Sequence, residues 1–260
     1  MFGAIIGDIV GSCYERVNCK STNFEFLDPR SRFTDDSVMT VATADALLNG
    51  LSFADTYWDW GNRYPNAGYG GRFFGWLHSP DKKPYFSFGN GSAMRISPVG
   101  WAFETLEETL EAACNSASVT HDHPHGIEGA ESAAAAIWMA RNGETKEEIC
   151  RFVEDRFFYD LSRSLDEIRP GYEFDVTCMG TMPVVFRAFL ESENYVDAVR
   201  LAVSVGGDSD TIACITGGIA DAYYREIPEE VCTFMRTKLP QEMLDIIDQF
   251  EAKYVTRKLI

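Results

Sequence analysis

The sequence is short of cationic side chains. Across 260 residues, 23 Lys and Arg stand against 40 Asp and Glu, a formal net charge of −17. Nucleic acids and anionic membranes are bound through Lys and Arg that displace counterions, so neither is an expected partner. A small anion held by local backbone donors is compatible with this charge. Long apolar runs are also missing. No uncharged stretch approaches the roughly 20 residues that span a bilayer. The apolar stretch Met1 to Gly11 lacks a basic flank and a cleavage signal and contains Asp8. It reads as a core helix rather than a leader.

Disulfide and zinc patterns are absent too. The seven cysteines (Cys13, Cys19, Cys114, Cys150, Cys178, Cys214 and Cys232) are odd in number, scattered and never spaced as CxxC. That usage fits reduced thiols in a cytoplasmic protein. Three of the four histidines fall in the five residues His121 to His125, around Pro124. This crowding matches no common zinc spacing. Period-two strands are missing, as are linkers, repeats, low-complexity tracts and charge blocks, so residues 1–260 are expected to form a single domain, acting as a monomer. With 45% hydrophobic and 24% charged residues, the chain has the composition of a globular protein.

What is present is helix after helix. Thr145 to Glu148 forms a capping-box pattern ahead of Ile149, Phe152 and Val153. Val196, Val199 and Val203 repeat at helical spacing, as do Ile212, Ile215, Ile219 and Tyr223. Leu106, Leu110 and Ala113 mark another helix, and Val231, Phe234 and Met235 one more. Pro183 and Pro240 sit where first helical turns would tolerate them. Ser132 to Ala140 is apolar nearly all round, which predicts a central helix. The fold class is therefore all-α. One region breaks the rhythm: Gly61 to Gly91 holds seven glycines and many aromatics, and reads as a long functional loop.

Two aspartate clusters stand at loop-to-helix junctions. Phe33-Thr34-Asp35-Asp36-Ser37 precedes one helical run, and Gly206-Gly207-Asp208-Ser209-Asp210-Thr211 precedes another. Helix capping accounts for one oxygen in each. Each cluster, however, offers two carboxylates and further hydroxyls. Were the four aspartates to meet, two charges about 4 Å apart would repel by roughly 4 kcal/mol at an effective dielectric of 20. A cation would remove that penalty, and oxygen ligands of this kind suit Mg²⁺ or Mn²⁺. Spacing alone leaves open whether clusters so far apart converge.

With several stretches taken in order, the sequence resembles the ADP-ribosylglycohydrolase family, which includes dinitrogenase-reductase-activating glycohydrolases and ADP-ribosyl-acceptor hydrolases. The stretches are Gly3 to Glu15, the TDDS cluster, Gly68-Tyr69-Gly70, Ser87 to Arg95 (SFGNGSAMR), Thr120-His121 to Ala130 (THDHPHGIEGA) and the GGDSDT cluster. The resemblance implies a compact multi-helix orthogonal bundle. It implies two divalent ions, Mg²⁺ or Mn²⁺, held by Thr34, Asp35, Asp36, Asp208, Asp210 and Thr211. It further implies cleavage at C1″ of the distal ribose of an ADP-ribosylated protein or small molecule, with ADP-ribose released. Glu15, Asp35, Asp36 and Asp210 are the expected catalytic residues. Gly70, Gly71, Ser87, Phe88, Gly89, Asn90 and His121 are the expected substrate contacts. Ser37 stands where many relatives have Thr and keeps the hydroxyl. Alternatives are a two-metal phosphoesterase and a non-catalytic ADP-ribose-binding module. Serine, arginine and a small molecule all remain open as the acceptor.

Overall fold

The computed structural model describes residues 1–255. The last five positions of the expected domain, 256–260, lie outside the described residues. The chain begins with α1 (Phe2–Gly11), α2 (Asp35–Asn49), α3 (Phe53–Arg63), α4 (Gly71–Leu77) and α5 (Gly91–Met94). It continues with α6 (Ser97–Ala102), α7 (Leu106–Ser118), α8 (Pro124–Asn142), α9 (Lys146–Phe157) and α10 (Leu165–Ile168). It ends with α11 (Cys178–Glu191), α12 (Tyr195–Val203), α13 (Ser209–Tyr224), α14 (Glu229–Arg236) and α15 (Gln241–Tyr254). Among the described residues there is no strand. A lone antiparallel bridge joins Gly89 and Thr177. The all-α expectation holds.

Local chemistry sets the helix ends. The Thr145 capping box starts α9 as its pattern predicts, and Thr105 with Glu108 builds a second box on α7. The central helix is α8, in which Ser132 to Ile137 are all buried. One contiguous apolar cluster takes in side chains from Met1 to Phe250.

Two expectations need correction. The Gly61–Gly91 region is not one loop: Phe73, Trp76 and Leu77 turn inward and are buried, and the segment winds into α4 around them. Pro183 is not a first-turn proline. The helix starts five residues earlier, at Cys178, because Thr177 caps it by accepting from Gly180 N at 3.1 Å. Pro183 therefore lies inside α11 and leaves the Met179 carbonyl, near an exposed side chain, without its usual donor.

The packing of α1 on α13 positions the site. Gly3, Gly7 and Gly11 recur every fourth residue and so share one face of α1. A Cβ at Gly7 would sit 2.0 Å from the Ala213 carbonyl oxygen, and one at Gly11 would sit 2.4 Å from Asp210 Cα. This glycine stripe lets the two backbones touch. The end of α1 is thereby set against the start of α13, where the second aspartate cluster lies.

Candidate active site

The two aspartate clusters meet. Thr211 Oγ1, at the start of α13, donates to Asp36 Oδ2 of α2 at 3.3 Å, across 175 residues of chain. At neither N-cap position does a carboxylate make the capping bond. The cap of α2 is the Thr34 hydroxyl, which accepts from Asp36 N at 3.3 Å. Asp208 holds the cap position of α13 but makes no side-chain capping bond. Asp210 Oδ1 accepts from the first-turn amide of Thr211 at 3.0 Å, and the capping reading leaves Asp35, Asp36 and Asp208 unexplained.

Glycine sets the path into α13. Gly206 and Gly207 have φ of 76° and 67°, a left-handed pair that L side chains rarely adopt. Asn18 Oδ1 accepts from Gly207 N at 3.1 Å, and Lys20 Nζ donates to Val205 O at 2.5 Å. The strand of turns after α1 is thus strapped to the GGDSDT loop. Glu15 lies on that strap, half-buried. One carboxylate oxygen each of Glu15, Asp208 and Asp210 lie within 4.8 Å of one another. At that separation each charged pair repels by about 3–4 kcal/mol at an effective dielectric of 20.

The titration of these groups follows from that crowding. Burial first, then the neighbouring Asp8, pushes the Asp35 carboxyl up to about 8. Burial raises Asp208 to about 6, although a hydrogen bond from Asn90 opposes the shift. Asp36 and Asp210 are raised well above the ordinary carboxylate range, by burial and then by Asp8 and Asp208 respectively. Asp36 Oδ1 is buried with no hydrogen-bond partner. A buried orphan oxygen amid like charges is what a bound cation would satisfy. The donor set is all carboxylate and hydroxyl oxygen, which fits Mg²⁺ or Mn²⁺. Thr34 fits less openly, because its hydroxyl already donates to Asp8 and accepts from Asp36 N.

Asp8 is the residue that sequence reasoning left unassigned. It is fully buried on α1 and accepts from Thr34 N at 3.0 Å, Thr34 Oγ1 at 2.6 Å and Ser37 N at 3.1 Å, and also from Ser37 Oγ. These bonds grip the TDDS turn on both sides of Asp35 and Asp36. They explain why position 37 needs a hydroxyl. The signal was in the sequence: an aspartate on an otherwise apolar helix face must be served by donors.

The carboxylates line a cleft of about 460 Å³. Gly70, Gly71, Ser87, Gly89, Asn90 and His121 line it as well. No atom lies within 4 Å of a Cβ built at Gly70 or Gly71, and Gly70 has φ of −58°. The fold does not demand glycine there, so the absent side chains serve to keep the cleft open. Asn90 donates to Asp208 Oδ2 at 2.7 Å and Thr181 Oγ1 at 3.1 Å, which makes it a support of the carboxylate end. Phe88 is not brought into the lining; its exposed ring packs 5.3 Å from His123. His123 caps α8 and His125 pairs with Glu128, so neither reaches the cleft.

The sequence profile of the ADP-ribosylglycohydrolase family matches residues 1–258. The chain belongs to the ADP-ribosylglycohydrolase family. ADP-ribosylhydrolase ARH3 of Mus musculus is 26% identical, over 87% of this chain and 84% of that protein. ADP-ribosylarginine hydrolase Tri1 of Pseudomonas putida (strain GB-1) is 27% identical, over 96% of this chain and 78% of that protein. A solved structure described as an ADP-ribosylglycohydrolase-related protein complex superposes with a TM-score of 0.76 at 25% identity, covering 96% of this chain and 95% of the other. The bundle seen here is thus the ADP-ribosylglycohydrolase fold. Among the described residues, no helix is long and apolar enough to cross a membrane.

Proposed function

We propose that the protein hydrolyses the C1″ glycosidic bond of ADP-ribosyl conjugates and releases ADP-ribose, using two divalent ions, Mg²⁺ or Mn²⁺. The observation that carries this reading is the meeting of the TDDS and GGDSDT clusters in the lining of one nucleotide-sized cleft. Thr34, Asp35, Asp36, Asp208, Asp210 and Thr211 would hold the ions. When bound, the ions would supply Lewis acidity at the ribose hydroxyls and lower the pKa of attacking water.

The chain's own residues provide the rest. Buried carboxylates create a negative field that stabilises positive charge developing at the anomeric carbon. Glu15 sits at the edge of the cluster, half-buried and free of helical constraint, where it can accept a proton from water. Asp8 and Asn90 fix the ligand carboxylates from behind. Gly70 and Gly71 leave room for the diphosphate, and His121 lines the same cleft. The name of one relative gives an arginine linkage and that of the other gives no acceptor, so the acceptor is settled by assay.

Serine-linked and arginine-linked ADP-ribosyl peptides, incubated with Mg²⁺ and then with EDTA, test the reading. Magnesium-dependent release of free ADP-ribose from either peptide is expected. Release of inorganic phosphate or AMP instead would identify a phosphoesterase. Tight ADP-ribose binding without turnover of any conjugate would identify a binding module.

A further inference from the structure

The cleft lining also carries a hydrogen-bond relay at His121 and Arg95. His121 is 5% exposed, and its Nδ1 lies 2.7 Å from Thr120 Oγ1. The same oxygen accepts from Arg95 Nη2 at 2.9 Å, and that nitrogen also donates to Ser116 O at 2.8 Å. Arg95 is 1% exposed, stacks over the Tyr57 ring at 4.3 Å and has no carboxylate partner among the described residues. A guanidinium can only donate. Thr120 Oγ1 is therefore an acceptor toward Arg95, which leaves its own proton free to point at the ring nitrogen 2.7 Å away. In that arrangement Nδ1 accepts, and the ring proton resides on Nε2.

A second observation concerns the other side of the ring. Cβ atoms built at Gly91 and Gly89 would lie 3.2 Å and 3.5 Å from His121 Nε2. Neither glycine has a positive φ that would require it. Their bare backbones leave the Nε2 edge facing the cleft, and Nε2 has no protein hydrogen-bond partner among the described residues. The Arg72 guanidinium, over the Tyr85 ring at 5.0 Å, adds positive charge to this part of the lining. Tyr85 in turn packs 5.8 Å from the His121 ring.

We propose that Arg95 and Thr120 are positioning residues that hold His121 as the neutral Nε2–H tautomer, aimed past Gly89 and Gly91 at a phosphate oxygen of the bound nucleotide. Burial, then Arg95 and Arg72, hold the His121 pKa well below its ordinary value, so the ring stays neutral and donates from one nitrogen only. The identity of the accepting oxygen rests on the ADP-ribose reading above. The tautomer does not.

The test is ¹⁵N NMR of the full chain with labelled histidine, the His121 signals being assigned by their loss in His121→Gln. A proton on Nε2 and none on Nδ1 is expected at neutral pH. Thr120→Val is expected to lose that tautomer preference and to weaken ADP-ribose binding about tenfold, and Thr120→Ser to restore both. His121→Gln, whose amide nitrogen reaches toward the Nε2 position, is expected to bind ADP-ribose more tightly than His121→Asn. A proton on Nδ1, or a Thr120→Val variant that lowers Tm but changes neither tautomer nor affinity, would overturn the proposal. The expected tautomer in a wild type that binds no ADP-ribose would support the relay and overturn the ligand reading instead.

Discussion

At the scale of single residues, the site is a set of carboxylates kept where they would not settle unaided. Asp8 is central, because four donors from the TDDS turn converge on it. Asp8→Asn puts an amide against those donors. It is expected to lower stability by about 2 kcal/mol and to weaken Mn²⁺ binding, read respectively by urea denaturation and by calorimetry. Unchanged Mn²⁺ affinity in the folded variant would reduce Asp8 to a core residue. Titration gives a second expectation. Asp35, raised to about 8, and Asp208, raised to about 6, have folded-state pKa values above those of the unfolded chain. Below the unfolded values both states are protonated and nothing is lost. As pH rises through the folded values, the folded state must carry charge it resists, and stability falls. The metal-free protein should therefore lose Tm between about pH 4 and pH 8 relative to an Asp35→Asn variant. The rise in Tm on adding Mn²⁺ should grow over the same range. A pH-independent Mn²⁺ effect would contradict this.

At the scale of elements, contact between α1 and α13 brings the site together. Gly7→Ala places a Cβ on the Ala213 carbonyl. It is expected to destabilise the protein by about 2 kcal/mol or more. Gly70→Ala meets nothing in the protein, so its Tm should stay near wild type while ADP-ribose affinity falls. Equal effects of the two substitutions, in thermal melts and ADP-ribose titrations, would contradict these roles. Much at this scale was legible in the sequence. Capping boxes such as that at Thr145, and the apolar repeats of α12 and α13, depend on neighbours within a turn or two. Pro183 does not mark a helix start because the Thr177 cap, six residues earlier, already starts the helix. The aromatic stretch that folds as α4 was misread because seven glycines hid three inward-facing side chains.

At the scale of the whole molecule, the family and its site motifs could be read from residue order, but the convergence of the clusters could not. Capping and metal binding use the same residue types at the same helix ends. Only the folded chain separates them, by placing Thr211 on Asp36 and leaving Asp36 Oδ1 without a partner. The roles of Asp8 and Arg95 were not legible for a related reason: each bonds to residues distant in the chain. The central claim is that two clusters far apart in sequence form one site for two divalent cations. Its most direct test is the stoichiometry of Mn²⁺ binding to the metal-depleted protein, for wild type, Asp36→Asn and Asp210→Asn. The account predicts two Mn²⁺ per chain in wild type, and weakened binding at both positions when either cluster is altered. Wild-type stoichiometry and affinity in both variants would contradict it.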